Sequence, residues 1–182
     1  MNQGLGRGRT DMARLARAEE LFMLDADNEV YPPALGRLAD ALDEDPGAAF
    51  AYSLIEAGSN GRPRALLSAL PWDPQRLRRG NYIDAMAMIR RQDLLEAGGY
   101  TEDLRLHGWE DFDLWCRFAA QGRRGLLVPE VLCRYSLSPE SMISLTNLDS
   151  SEAWALLREL YPGVLGGAPL PEWPPEPPDL EL

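Results

Sequence analysis

The chain has 182 residues and a formal net charge of −11, from 29 acidic and 18 basic residues with a single histidine. That balance excludes a general nucleic-acid binder, which needs a basic footprint. The length suits one domain with a real core plus a tail. Every basic residue is arginine, and Ala, Gly and Pro are abundant, a pattern that reads as coding bias and not as mechanism. The two cysteines, Cys116 and Cys133, make neither a disulfide framework nor a zinc site, so buried reduced thiols are expected. No segment resembles a signal peptide and no apolar stretch is long enough to span a membrane. The expectation is a soluble cytoplasmic protein.

Residues 1–20 are Gly- and Arg-rich and then turn helical, with Met12, Leu15, Ala16 and Glu19 at helical spacing. The apolar run at 21–25 predicts a short buried strand. A loop with two prolines follows, and Pro33 suits the first turn of a helix. Leu35, Leu38, Ala39 and Leu42 then give an amphipathic helix ending near Asp45-Pro46-Gly47. A strand is predicted over 48–55 and a polar turn over 57–64.

The stretch 66–79 carries Pro71 and Pro74, which interrupt any regular element. Residues 82–89 read as a strand, 91–97 as a short helix closed by Gly98-Gly99. Phe112, Trp115, Phe118 and Ala119 mark one face of a helix that stops at Gly122. Two short strands, 126–128 and 131–135, precede a last helix over 151–160. Beyond Pro162 prolines and acids dominate, and no packed core is expected. Alternating strands and helices indicate an α/β fold. The expected division is a domain over 1–161 and an acidic, disordered Pro-rich tail over 162–182.

Asp25-Ala26-Asp27 sits at the end of the run Leu21-Phe22-Met23-Leu24. Ligands in open α/β sheets collect at the carboxyl ends of strands. Two carboxylates there suit Mg²⁺ or Mn²⁺, which share substrate phosphates instead of needing an all-protein cage. The competing reading is a solvated turn in which Asp25 or Asn28 caps the next helix.

A second acidic cluster is Gly108-Trp109-Glu110-Asp111-Phe112-Asp113-Leu114-Trp115. Acids in a first helical turn offset the macrodipole, which would explain Glu110, Asp111 and Asp113 without chemistry. The flanking Trp109 and Trp115 point instead to an apolar wall for a sugar ring. A neighbouring Trp also raises a carboxylate's pKa, against the dipole. His107, the lone histidine, reads as an exposed loop residue in preference to a metal ligand. Asp84, inside an apolar run, either pairs with an arginine or faces the site.

Together, Leu24-Asp25-Ala26-Asp27-Asn28, Gly80-Asn81-Tyr82-Ile83-Asp84, Gly98-Gly99-Tyr100, the acidic cluster at 108–115 and Val128-Pro129-Glu130-Val131-Leu132 resemble family 2 glycosyltransferases of the GT-A fold, in order and rough spacing. The resemblance covers roughly residues 1–145. It implies a Rossmann-like, GT-A-like sheet flanked by helices, incomplete at its N-terminal side. It also implies that Asp25 and Asp27 hold Mn²⁺ or Mg²⁺ and the donor diphosphate, with Asp27 the more direct ligand. By the same resemblance Asp111, within the Glu110-Asp111 pair, is the catalytic base. Asp84, Trp109 and Asn81 line the sugar or acceptor site, and Asn2-x-Gly4 with Arg9 ends the donor-binding segment. Thr10 and Met12 depart from the family's usual Asn and Gly. In Tyr135-Ser136-Leu137-Ser138-Pro139-Glu140-Ser141-Met142 the family's Arg and His positions both carry Ser, so the resemblance supplies no third protein ligand. The strands that seat the nucleotide base precede the segment with which this chain begins.

The first functional expectation is metal-dependent, inverting transfer from a nucleotide-diphospho-sugar to a glycan, lipid-linked or other hydroxyl acceptor, as part of a longer enzyme. A truncated, non-catalytic relative serving as an interaction module is the alternative. A different phosphotransfer enzyme is a third reading, but Gly4-x-Gly6-x-Gly8 lacks the Lys of a phosphate loop. No nucleic-acid partner is expected. Self-association is, because the absent strands leave 21–24 at a sheet edge.

Overall fold

The computed structural model describes residues 4–59, 62–137 and 150–169. It is an α/β fold whose six described strands form one sheet. In chain order the elements are α1 (Leu5–Leu15), β1 (Glu20–Phe22), β2 (Glu29–Val30), α2 (Ala34–Glu44), β3 (Ala48–Ser59) and β4 (Arg62–Leu67). After a 3₁₀ turn at Pro74–Arg79 come β5 (Ala87–Arg90), α3 (Arg91–Glu96), a second 3₁₀ turn at Leu104–Leu106, α4 (Glu110–Ala120) and β6 (Arg124–Ser136). Two further helices follow, α5 (Ser150–Leu160) and α6 (Pro162–Leu165).

The sheet order is β1-β5-β3-β6-β2, with β4 paired to the later part of β3. β3 and β6 are parallel, while β5 is antiparallel to both β3 and β1. It follows that β1, β3 and β6 all point one way. The ends of β1 and β3 and the start of β5 therefore meet at one rim of the sheet. That rim collects the acidic residues.

Side chains alternate across the sheet as a strand's period of two demands. Phe50 and Tyr52 join the core on one face, with Leu77, Phe112, Trp115, Phe118, Trp154 and Leu157. Ala51 and Ile55 turn to the other face and pack with Leu38 and Leu42 of α2 and with Met86 and Leu132. Phe50 is the hub of the first core. It stacks on Trp115 at 4.5 Å between ring centroids and meets Trp72 edge-on at 5.2 Å. Both geometries suit the aromatic quadrupole.

Several expectations need correction. On α1 the buried residues are Gly6, Arg9, Thr10 and Ala13, whereas Met12 and Leu15 are exposed. The helix packs through its small residues because the neighbouring chain comes so close. A Cβ on Gly6 would lie 1.9 Å from the Thr101 carbonyl oxygen. The strand at 21–25 shortens to β1, with Leu24 exposed. The loop after it holds β2, paired with Arg134 and Cys133 of β6.

The expected turn at 57–64 is instead the β3–β4 hairpin, with a register shift between Ala57 and Gly58. The two short strands at 126–135 are one strand, β6, whose register against β3 shifts around Val128 and Val131. Packing continues past Tyr161, since Val164, Leu165 and Ala168 are buried. The tail from 170 lies outside the described residues. Both cysteines are free and buried, as expected. No described helix is long and apolar enough to cross a membrane.

Candidate active site

The run at 82–89 is not one strand. Strand structure begins only at Ala87, and the residues before it are held by their own side chains. Asn81 Oδ1 accepts from the Ile83 amide at 3.3 Å, and Asp84 Oδ1 accepts from the Met86 amide at 2.9 Å. Such local side-chain bonds compete with the ladder. The Asp84 amide in turn donates to Ser68 Oγ at 2.9 Å. Ser68 is the one described non-glycine residue at positive φ, 53°. Asp84 is thus fixed at the rim, three residues before β5.

Asp25 reaches the same rim from the other side, three residues past β1. The Met23 amide donates to the Ala87 carbonyl at 3.3 Å and extends the β1–β5 pairing toward it. A turn then folds back as the Asn28 amide donates to the Asp25 carbonyl at 3.1 Å. Asn28 Oδ1 accepts from the Ser136 amide at 3.1 Å and ties the turn to the end of β6. Asp27 is exposed. Arg9 of α1 donates from Nη2 to Asp25 Oδ1 at 2.5 Å.

Asp111 arrives on the first turn of α4. Asn81 Nδ2 donates to its Oδ2 at 2.8 Å, and the Phe112 amide donates to its Oδ1 at 2.8 Å. Trp115, one turn further, donates its indole N–H to the Ile83 carbonyl at 3.0 Å. The loop carrying Asn81 and Asp84 is therefore clamped to α4 at two points.

The charges of these groups act on one another. Burial pushes the Asp84 carboxyl up to about 7; the Met86 amide and Arg9 oppose the rise, while Asp111 and Asp25 add to it. Burial pushes Asp111 up to about 6, against the Phe112 amide, Arg9 and Asn81. Between the two opposed influences on Asp111, desolvation prevails.

Two tyrosines to which sequence reasoning gave no site role are also coupled to the charges of the cluster. Tyr100 lies under Arg9, with the guanidinium carbon 5.4 Å from the ring centroid, and its buried hydroxyl has no hydrogen-bond partner among the described residues. Tyr135, at the end of β6, is raised to about 12, chiefly by burial and then by Asp84, Asp27, Asp25 and Asp111. Only a tertiary arrangement reveals either.

Glu110 and Trp109, just before Asp111 in the chain, are both buried. Glu110 is turned back on its own loop. Its Oε2 accepts from the Gly108 amide at 2.8 Å, and its Oε1 is 3.4 Å from His107 Nδ1. That geometry caps the loop, while the Glu110 charge still acts on Asp111 and raises it. Trp109 is 7 % exposed and packs on Phe112 at 5.8 Å between centroids. Asp113 is buried in a structural knot, accepting from Arg117 and, at 2.7 Å, from the Tyr161 hydroxyl. Asn2 and Ser138 lie outside the described residues.

Comparison with known proteins shows the family and the fold. Residues 1–106 match the family described as Glycosyl transferase family 2, and residues 80–154 match Glycosyltransferase like family 2. The chain belongs to glycosyl transferase family 2. Its fold is shared with S. aureus TarS. A crystal structure of TarS 1-349 in complex with UDP-GlcNAc has a TM-score of 0.65 at 15% identity, covering 92% of this chain and 48% of that one. A second crystal structure of TarS 1-349 gives 0.57 at 17%, covering 82% and 44%. Another TarS structure gives 0.59 at 18%, covering 87% and 27%. The chain thus spans about half or less of the length of these structures. No curated protein matches it.

Proposed function

We propose that this chain carries the metal and acceptor side of an inverting glycosyltransferase that moves a sugar from a nucleotide-diphospho-sugar to an acceptor hydroxyl. The observation that carries the reading is the convergence of Asp25, Asp84, Asp111 and Arg9 on one rim, with Asp111 oriented by Asn81. Family membership and a fold shared with a UDP-GlcNAc-bound protein support it.

Asp25 and Asp27 would hold a divalent cation. Among the described residues no group of three or more His, Cys, Asp or Glu side chains is arranged to hold a metal. Two carboxylates suffice where phosphate oxygens complete the shell, as Mg²⁺ and Mn²⁺ prefer. The buried Asn28 Nδ2 has no partner among the described residues, and as an N–H donor it suits a phosphate oxygen and not the cation. A bound cation would supply neutralisation of the charge developing on the leaving diphosphate.

The chain's own residues do the rest. Each oxygen of Asp111 already accepts one hydrogen bond, which leaves one lone pair on each for a proton. The acceptor hydroxyl forms its bond to the anomeric carbon as its proton passes to Asp111. The bond from that carbon to the diphosphate oxygen breaks, and the nucleoside diphosphate leaves with the electron pair. A carboxyl near 6 is ionised at neutral pH yet basic enough to help. Asp84, near 7, is part-protonated and can donate to a sugar hydroxyl.

The test is sugar transfer from a panel of nucleotide sugars by an enzyme carrying this segment. The reading expects transfer that Asp27→Ala and Asp111→Asn each abolish. Transfer untouched by both sinks it and leaves the interaction-module alternative standing.

A further inference from the structure

The two ends of the Arg9–Asp25 ion pair differ in exposure. The Arg9 side chain is 8 % exposed and that of Asp25 is 41 %. Arg9 is also held from behind. Its guanidinium rests on the Tyr100 ring, and the Tyr100 amide donates to Thr10 Oγ1 at 2.9 Å, one residue along α1. Gly99 at φ 80° meets Thr10 so closely that an added Cβ would lie 2.5 Å from its methyl group. The cationic end is fixed and the carboxylate end is open to solvent.

Arg9 Nη2 stands 2.5 Å from Asp25 Oδ1, where a hard cation would approach the same oxygen at about 2.1 Å. A guanidinium and a divalent cation sharing one oxygen repel each other. A diphosphate changes that balance. It brings negative charge to both cations, and its oxygens match the guanidinium fork.

We propose that Arg9 makes cation binding at Asp25 and Asp27 conditional on a diphosphate. With the site empty, the guanidinium holds Asp25. The cation enters together with a phosphate group that takes over the guanidinium. The free cation alone is refused, and the donor is admitted as a metal–diphosphate unit. This rests on the reading of Asp25 and Asp27 as the metal pair.

Mn²⁺ titration of the full 182-residue chain, followed by electron paramagnetic resonance with and without UDP, tests it. Arg9→Met keeps the apolar stem and removes the charge. It should bind Mn²⁺ alone about tenfold tighter than the parent, as expected for lifting a nearby like charge. It should also lose most of the gain that UDP gives the parent. A variant that merely loosened the fold would weaken both. Equal or weaker Mn²⁺ binding by Arg9→Met, or an undiminished UDP effect, overturns the proposal. A second measurement uses the parent alone: the Arg9 guanidinium ¹⁵N resonances should move with Mg²⁺ and UDP together and stay still with Mg²⁺ alone. Movement with Mg²⁺ alone overturns it. Asp27→Ala separates the two layers. If it binds Mn²⁺ as the parent does, the metal-pair reading itself fails.

Discussion

Asn81 and Asp111, thirty residues apart, are joined by one hydrogen bond of 2.8 Å from amide to carboxylate. That bond ties the loop before β5 to the first turn of α4 and sets which Asp111 lone pairs are open. Its main consequence concerns turnover. In an enzyme carrying this segment, Asp111→Asn keeps the shape and removes the proton acceptor. Turnover should fall roughly a hundred- to ten-thousand-fold while donor binding stays within a fewfold. Parent turnover should rise with pH through about 6, where Asp111 ionises. Steady-state kinetics and a donor-binding isotherm check both. A variant within a fewfold of the parent would reduce Asp111 to a helix-capping acid.

Asp84 gives a prediction about stability. Its folded value near 7 lies above the ordinary 3.8, so the folded chain holds this proton more tightly than the unfolded chain. Ionising it therefore opposes folding, and its contribution to stability falls as pH rises from about 4 to 7. Asp84→Asn should raise Tm at pH 8 by roughly 3 °C and leave it unchanged near pH 3.5. Thermal melts at the two pH values decide. An equal shift at both would mean the gain has nothing to do with charge.

The amphipathic helix α2, the glycine-closed α3 and the aromatic face of α4 were legible because their burial follows local period. The segment before β5 was not. Its apolar composition matches a strand, yet Asn81 and Asp84 capture the amides of Ile83 and Met86. The buried face of α1 was misread for a different reason: it is built from Gly6, Thr10 and Ala13, which carry little hydropathy signal. Glu110 and Asp111 are equivalent in sequence. About 100° of helical rotation separates neighbouring residues, which sends one to the His107 loop and the other to the cluster. Tyr100 and Tyr135 are brought in by tertiary packing alone.

Trp115 joins the core to the site. Its ring stacks on Phe50, and its N–H satisfies the Ile83 carbonyl between Asn81 and Asp84. Trp115→Phe leaves that buried carbonyl unpaired and a small void beside Phe50. The cost should be about 2 kcal/mol. Tm should drop by roughly 6 °C in a chain of this size. Calorimetry measures it, and a loss under half a kcal/mol would show the clamp to be slack.

The final prediction concerns the chain by itself. β1 forms one end of the sheet and is bonded only to β5 among the described residues, which leaves the other side of Glu20–Phe22 without a strand. Met12 and Leu15 stand exposed on α1. An open edge together with exposed apolar side chains favours pairing between copies. Sedimentation should therefore show association that grows with concentration. The same edge bears on catalysis. Donor binding needs contacts to base and ribose as well as to the diphosphate. The described rim offers carboxylates, Arg9 and Asn81, all suited to the diphosphate, the sugar or the acceptor. A metal–diphosphate contact alone leaves the cost of ordering the ligand largely uncompensated. The purified 182-residue chain should not turn over nucleotide sugars at a useful rate. Robust hydrolysis or transfer by a monomer would show that the base is seated by residues of this chain, and would move the donor site away from the β1 edge.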